Sequence, residues 1–280
     1  MFYQPLQVSI LIADGMNTAY CNGNNPKKLE FAAGVSVRIK KLNKSFGNHH
    51  VLKDIDLDIS AGETFSIIGP SGTGKSILLR HIIRLETPDS GQIYVNNEPV
   101  FAEGKRLPQS FRSSMVFQSS ALFNSLTVGE NVGLWLREHH ICNEPRIREI
   151  IAEKLAIVGL EGSEGLRTSE LSGGMKKRVA IARSLAMEPD LVLYDEPTAE
   201  LDPVTTDELA ETIKSLRVKT GNTTIIVTHD LNFALYLSDR IAMMHQGEIV
   251  ETGTPEQIRA SSNPIVKRFI RTTTKGIQGA

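Results

Sequence analysis

Apolar positions along this chain fall into three textures. In the first, short segments alternate with period two: "VRIKKL", then "DIDLDIS", where Ile55, Leu57 and Ile59 share one face. That spacing predicts half-buried strands. "GQIYVNNEPV" and "RIAMMHQGEIVETG" each carry a turn signal between strand-like runs, Asn96-Asn97 and Gln246-Gly247, so both are predicted hairpins. Together these segments predict an antiparallel β portion beginning at Val35. In the second texture, "FSIIG", "LVLYDE" and "TTIIVTH" are near-continuous in apolar or β-branched residues, as strands covered on both faces must be. Helical patterns lie between them, such as "DPVTTDELAETIKSLRVK", with Asp202 as N-cap and Pro203 in the first turn.

The third texture runs from about residue 119 to 172. "EPRIREIIAEKLAIVGL" sets Ile147, Ile150, Ile151, Leu155 and Val158 on one face, opened by Pro145 and closed by Gly159. The pattern predicts a helical subdomain inserted into an α/β body. The expected organisation is an irregular extension over 1–34, rich in Asn and Gly and with Met16 an alternative start, then a body over 35–262 and a tail over 263–280. In the tail Asn263 and Pro264 start a helix that clusters Ile265, Val266, Phe269 and Ile270 on one side, to pack on its own body or on a second subunit.

Composition narrows the class of activity. The 280 residues are 40% hydrophobic, enough for a real core, and the net charge of −1 argues against a surface that coats nucleic acid. No nucleic-acid partner is expected. The two cysteines, Cys21 and Cys142, share no metal-type spacing and read as reduced cytosolic thiols. The pairs His49-His50 and His139-His140 lack convergent ligands and read as surface. No apolar run approaches the ~20 residues that span a bilayer, and "VSILIA" has no Lys or Arg before it, a poor signal peptide. Membrane work would need other chains.

The candidate chemistry starts at "FSIIGPSGTGKSILLRHII". Gly69, Gly74, Lys75 and Ser76 fit G-x-x-x-x-G-K-[ST], the phosphate-binding loop, with a strand before and a helix after. Its glycines, Gly69, Gly72 and Gly74, leave main-chain N–H groups uncovered, and the helix starting near Lys75 adds its positive end. The segment Gly69, Pro70, Ser71, Gly72, Thr73, Gly74, Lys75, Ser76, Ile77 is therefore expected to surround the phosphates of ATP. Lys75 would reach the β- and γ-phosphates, and the Ser76 hydroxyl would ligate Mg²⁺.

Four further features point to hydrolysis. "LVLYDE" ends a buried strand with Asp195, placed to hold Mg²⁺ directly or through water, and Glu196, placed to polarise an attacking water. Gln118 follows "SSMVF" at the junction of body and helical insert, where its amide can reach Mg²⁺ or that water. His229 follows "TTIIVT" and can touch the γ-phosphate from the far side. Ser172, Gly173 and Gly174 in "LSGGM" offer a second anion cradle at a helix N-terminus. One nucleotide does not need two such cradles from one chain, so the second is expected to serve a partner's ATP in a C₂ homodimer.

The order of phosphate loop, Gln118, "LSGGM", "LVLYDEP", "ELD" and His229 resembles the nucleotide-binding subunit of ABC transporters, over about Val35 to Ile258. The resemblance implies a P-loop NTPase core of ABC type with an antiparallel β subdomain and a helical subdomain. It also implies that Phe46 stacks on adenine and that "AELDP" around Asp202 contacts the other subunit's site. A narrower likeness lies in "MVFQSSALFNSLTVGENV", in Met175 where most relatives carry Gln, and in "NPIVKRFI". These resemble the ATPases serving MCE-domain lipid transporters, including the Mla system of bacterial envelopes and its chloroplast counterpart. That likeness implies phospholipid-type transport with integral-membrane permease subunits and an MCE-domain lipid-binding protein, at the cytoplasmic face of the inner membrane. Importers of amino acids or inorganic ions, and soluble regulatory ABC ATPases, share the core motifs and stay open. Ile77, Arg84 and Glu200 depart from the family's usual Thr, small residue, and Gly or Ser.

Overall fold

The computed structural model describes residues 34–102, 105–107 and 110–275. The expected N-terminal extension, with Met16 and Cys21, lies outside the described residues apart from Gly34.

Two sheets organise the chain. The first is four-stranded and antiparallel, built from β1 (Val37–Phe46), β2 (His49–Ile59), β4 (Ser90–Val95) and β5 (Glu98–Pro99) in the order β2-β1-β4-β5. Its alternation is as expected: Ile55 and Ile59 are fully buried, Leu57 nearly so, and the residues between them are exposed. Asn96 and Asn97 turn β4 into β5, both in the left-handed region that Asn tolerates.

The second sheet is six-stranded. It comprises β3 (Thr64–Ile68), β8 (Ser113–Val116), β9 (Leu191–Asp195), β10 (Thr223–Thr228), β11 (Arg240–His245) and β12 (Glu248–Gly253), in the order β12-β11-β3-β10-β9-β8. All neighbours but β11 and β12 pair in parallel. A short ribbon, β6 (Phe101–Ala102) with β7 (Lys105–Arg106), completes the strands.

This topology corrects one expectation. The hairpin at Gln246-Gly247 forms, yet it joins the six-stranded sheet instead of the antiparallel portion. Ile241, Ala242, Met243 and Met244 are all fully buried, so β11 needs cover on both faces and finds it beside β3.

Helices pack on both sides of the sheet. The first, α1 (Lys75–Ile82), follows the glycine loop directly. The span from 119 to 172 holds α2 (Val128–Glu138), α3 (Glu144–Ile157) and a 3₁₀ turn at Thr168–Glu170. A reciprocal pair opens α2: Thr127 Oγ1 accepts from Glu130 N at 3.2 Å, and Glu130 Oε2 accepts from Thr127 N at 2.7 Å. The predicted face of α3 is buried throughout, and with Val132, Trp135 and Leu136 of α2 it belongs to a core that also holds Val179 and Ile181.

Next come α4 (Gly173–Leu185), α5 (Pro203–Thr220), α6 (Leu231–Leu237) and α7 (Pro255–Arg259). Asp202 caps α5 by accepting from Thr205 N at 3.0 Å. The tail forms α8 (Pro264–Lys275), and its Val266 and Phe269 pack on its own body, against a cluster with Ile68, Met243 and Ile258. Among the described residues no helix is long and apolar enough to cross a membrane.

Candidate active site

Three parallel strands deliver their C-terminal ends to one place. Strand β3 runs into Gly69, β9 ends at Asp195 and Glu196, and β10 ends one residue before His229. Because β10 pairs with both β3 and β9, these three exits are neighbours by register.

The glycine loop is held close to the sheet. Gly69, Gly72 and Gly74 have φ of 152°, 80° and 101°, a region that side-chain-bearing residues resist. At Gly69 an added Cβ would also strike the Met244 carbonyl oxygen at the far end of β11. Thr73 Oγ1 donates to the Pro70 carbonyl at 3.0 Å. Lys75 is buried, and its Nζ donates to the carbonyls of Gly69 at 2.8 Å and Pro70 at 3.0 Å. Burial pulls its pKa down, against the opposing field of Glu196.

The acids sit where these contacts converge. Ser76 Oγ donates to Asp195 Oδ1 at 2.6 Å, so a hydroxyl and a carboxylate oxygen face one another across α1 and β9. Burial and the neighbouring Glu196 charge raise the Asp195 pKa, while the Ser76 bond opposes the rise. Glu196 lies 3.4 Å from Lys75 Nζ through Oε1. Its Oε2 accepts from His229 N at 3.1 Å, and His229 Nδ1 lies 2.8 Å from the same oxygen. Glu196 has φ 47°, a left-handed conformation for a non-glycine residue, and its N–H donates to the Val227 carbonyl at 2.8 Å.

The donor set fits Mg²⁺ with a nucleoside triphosphate. Mg²⁺ is held in such sites by one or two protein oxygens plus water and phosphate, and Ser76 and Asp195 supply such a pair. The glycine cradle, with Lys75 and the α1 N-terminus, suits phosphate oxygens.

Lys75, Ser76, Asp195, Glu196 and His229 are thus joined in one cluster. Gln118 is exposed, and its carbonyl accepts a hydrogen bond from Lys177 Nζ on α4. Phe46 is half-exposed at the tip of β1, with the Lys44 ammonium 5.2 Å from its ring centroid. Ser172 caps α4 by accepting from Met175 N at 3.2 Å, and Ser172 and Gly173 are both exposed. Among the described residues no hydrogen bond or ion pair links Phe46, Ser172, Gly173, Gly174 or Asp202 to the cluster. A Cβ at Gly174 would strike Thr205 on α5, so that glycine is needed for helix packing as well.

Sequence reasoning missed Lys177 and Arg183. Both are buried, and both send their charged ends to carbonyls of the loop that follows β8. The spacing carries a faint signal for Lys177 alone, which shares an i, i+4, i+7 face with the buried Ile181 and Ser184, and none for Arg183.

Residues 52–199 match the family described as ABC transporter. A Mycobacterium tuberculosis protein named "Probable ribonucleotide transport ATP-binding protein mkl" is 38% identical over 242 residues, covering 86% of this chain and 67% of that protein. The chain belongs to the ABC transporter family. This ABC ATPase is an ATP-hydrolysing transporter subunit that binds ATP with Mg²⁺. It is also 40% identical to "Protein TRIGALACTOSYLDIACYLGLYCEROL 3, chloroplastic" of Arabidopsis thaliana, over 86% of this chain and 75% of that one. The L-cystine import ATP-binding protein TcyN of Bacillus subtilis is 41% identical over 84% of this chain and 92% of its own. A solved ATP-binding cassette, dimeric in a post-hydrolysis state with ADP and Pi, superposes with a TM-score of 0.69 at 33% identity, covering 78% of this chain and 98% of that one. The fold is that of a P-loop ABC cassette, as expected.

Proposed function

We propose that this ABC ATPase drives transport of phospholipid-type lipids, working as a homodimer with separate permease subunits and an MCE-domain lipid-binding protein. It would act at the cytoplasmic face of the inner membrane, as a peripheral subunit.

The observation that carries the hydrolytic reading is the single carboxylate of Glu196, shared between Lys75 and His229. In this reading Glu196 orients and deprotonates the attacking water, His229 holds that carboxylate and contacts the γ-phosphate, and Lys75 turns from its own loop to the β- and γ-phosphates. Ser76, Asp195 and Gln118 would hold Mg²⁺, which would neutralise developing phosphate charge. The Gly69–Ile77 segment cradles the phosphates and Phe46 stacks on adenine. Ser172 and Gly173 are exposed and, with Gly174, would serve a partner's γ-phosphate, and Asp202 lies beside them at the start of α5. ATP would close the dimer because only the closed form gains those contacts.

The lipid reading is supported by the narrower motif likeness and by the chloroplastic relative, whose name is that of a glycosylated diacylglycerol. The 41% identity to a cystine importer favours the second reading, an amino-acid or ion importer. Purification of the intact transporter separates them: an MCE-domain protein co-purifying with the chain, and ATP-dependent phospholipid transfer between vesicles, support the first. A solute-binding protein in its place, with no lipid transfer, defeats it.

The shared-site arrangement has its own test. Lys75→Ala and Ser172→Arg chains are each expected to be inactive as homodimers, and their mixture to regain part of the activity through one intact composite site. No recovery beyond either alone would remove the shared site.

A further inference from the structure

We propose that Lys177 and Arg183 are positioning residues that fasten the Gln118 loop to α4, so that the loop's approach to the phosphate site is set by the helix beginning at Ser172. The inference rests on the reading of Gln118 given above.

Two cations from one helix take up three carbonyls of one short loop. Lys177 Nζ donates to Gln118 O. Arg183 Nη1 donates to Ala121 O at 2.7 Å, and Nη2 to Ser120 O at 3.0 Å. Both cations are buried, at 5% and 6% exposure, and among the described residues neither forms a salt bridge. A buried charge without a counter-ion persists only where it is well hydrogen-bonded, and charge-assisted bonds are roughly twice as strong as neutral ones. Burial accordingly lowers the pKa of both, that of Arg183 to about 10. The fields of Glu200 and Asp195 partly oppose that lowering at Lys177.

The loop needs such restraint. Ser120 and Ala121 are consecutive non-glycine residues in the left-handed region, at φ 61° and 46°, a conformation that L residues resist. With their carbonyls turned toward α4, the loop has one docked arrangement, and Gln118 stands at its exposed start. Since Ser172 caps the same helix, the Gln118 of one site and the Ser172 offered to the other are joined through a single rigid element. A displacement of α4 therefore moves both.

The test uses the full-length chain and ATP hydrolysis read as kcat and KM separately. Lys177→Met keeps the stem and removes the donor. Its kcat is expected to fall about tenfold or more with KM for ATP changed less than about threefold, and the Mg²⁺ concentration for half-maximal rate to rise. Lys177→Arg restores kcat to within about threefold of the parent. Because Lys177 acts through Gln118, the double variant Gln118→Ala/Lys177→Met should be no slower than Gln118→Ala alone.

Losses that multiply overturn the positioning role and leave the Gln118 reading standing. So does a normal Lys177→Met chain beside a slow Gln118→Ala chain. Parental kcat and Mg²⁺ dependence in Gln118→Ala overturn both. If Lys177→Met melts too early to assay, the same cycle is run on Lys177→Gln, which keeps a donor and loses the charge. A lowered melting midpoint with additive losses in that pair assigns Lys177 to folding alone and overturns the proposal.

Discussion

Glu196 grips His229 with one carboxylate oxygen: Oε2 takes the backbone N–H at 3.1 Å and lies 2.8 Å from ring Nδ1, which leaves Oε1 turned to Lys75 at 3.4 Å. The carboxylate is thus held from two sides, by the residue that follows β10 and by Lys75 at the start of α1, on a left-handed backbone.

Glu196→Gln removes the carboxylate proposed as the base and retains the shape. Turnover is expected to fall by about 100-fold or more while ATP binding stays within a few-fold of the parent. Single-turnover hydrolysis beside equilibrium binding of labelled ATP measures both. Near-parental turnover would remove Glu196 from the chemistry.

His229→Ala keeps the backbone N–H on Oε2 and loses the ring. A smaller loss of kcat is expected than for Glu196→Gln, on the order of 10- to 100-fold, with the double variant no worse than Glu196→Gln alone. Steady-state kinetics on the four chains reads this directly.

Asp195 carries a charge that the fold resists. Its raised pKa means that the folded state binds this proton more tightly than the unfolded chain, so above that pKa the ionised carboxylate costs stability. Asp195→Asn should therefore raise the melting midpoint by a few degrees at neutral pH in Mg²⁺-free buffer, and the gain should shrink as the pH falls through the folded pKa. The same variant should lose Mg²⁺-dependent ATPase. A lowered midpoint at neutral pH would contradict the electrostatic account.

His81 behaves in the opposite sense. It is fully buried on α1, its Nδ1 lies 2.8 Å from the Ile77 carbonyl oxygen, and burial depresses its pKa below the ordinary 6.5. Above 6.5 the ring is neutral in both states and costs nothing. As the pH drops below 6.5 the unfolded chain takes up the proton first, and native stability declines. His81→Gln should flatten this part of the profile of melting midpoint against pH between 5 and 7. An unchanged slope would assign the acid sensitivity to other groups.

Gly69→Ala adds a methyl where Met244 O already stands, at a φ of 152° that alanine avoids. A destabilisation of about 2 kcal/mol or more is expected, with ATP binding weakened because β11 must shift. Urea unfolding of the two chains gives the difference.

Much of this arrangement could be read from residue order. The glycine loop, the acids at the end of β9, the helix cap at Asp202 and the Pro145 that opens α3 are local, because each depends on residue types a few positions apart. The position of β11 was less readable. Its hairpin signal at Gln246-Gly247 was clear, but the choice of sheet depended on which neighbour could cover both faces of Ile241 to Met244. Lys177 and Arg183 were hidden for a related reason. Cations early and late in a helix ordinarily lie in solvent, and only the fold shows that a loop 59 to 63 residues upstream turns its carbonyls toward them.

Ile68, the last residue of β3, lies in a buried cluster with Leu231 and Ala234 of α6 and Val266 and Phe269 of α8. A polypeptide emerging from the ribosome presents the glycine loop long before α6 and α8. Until both helices emerge, the apolar cluster at the end of that strand is incomplete. That end of the strand is thus finished late in biosynthesis, and lesions far downstream of the glycine loop can still loosen the strand that feeds it.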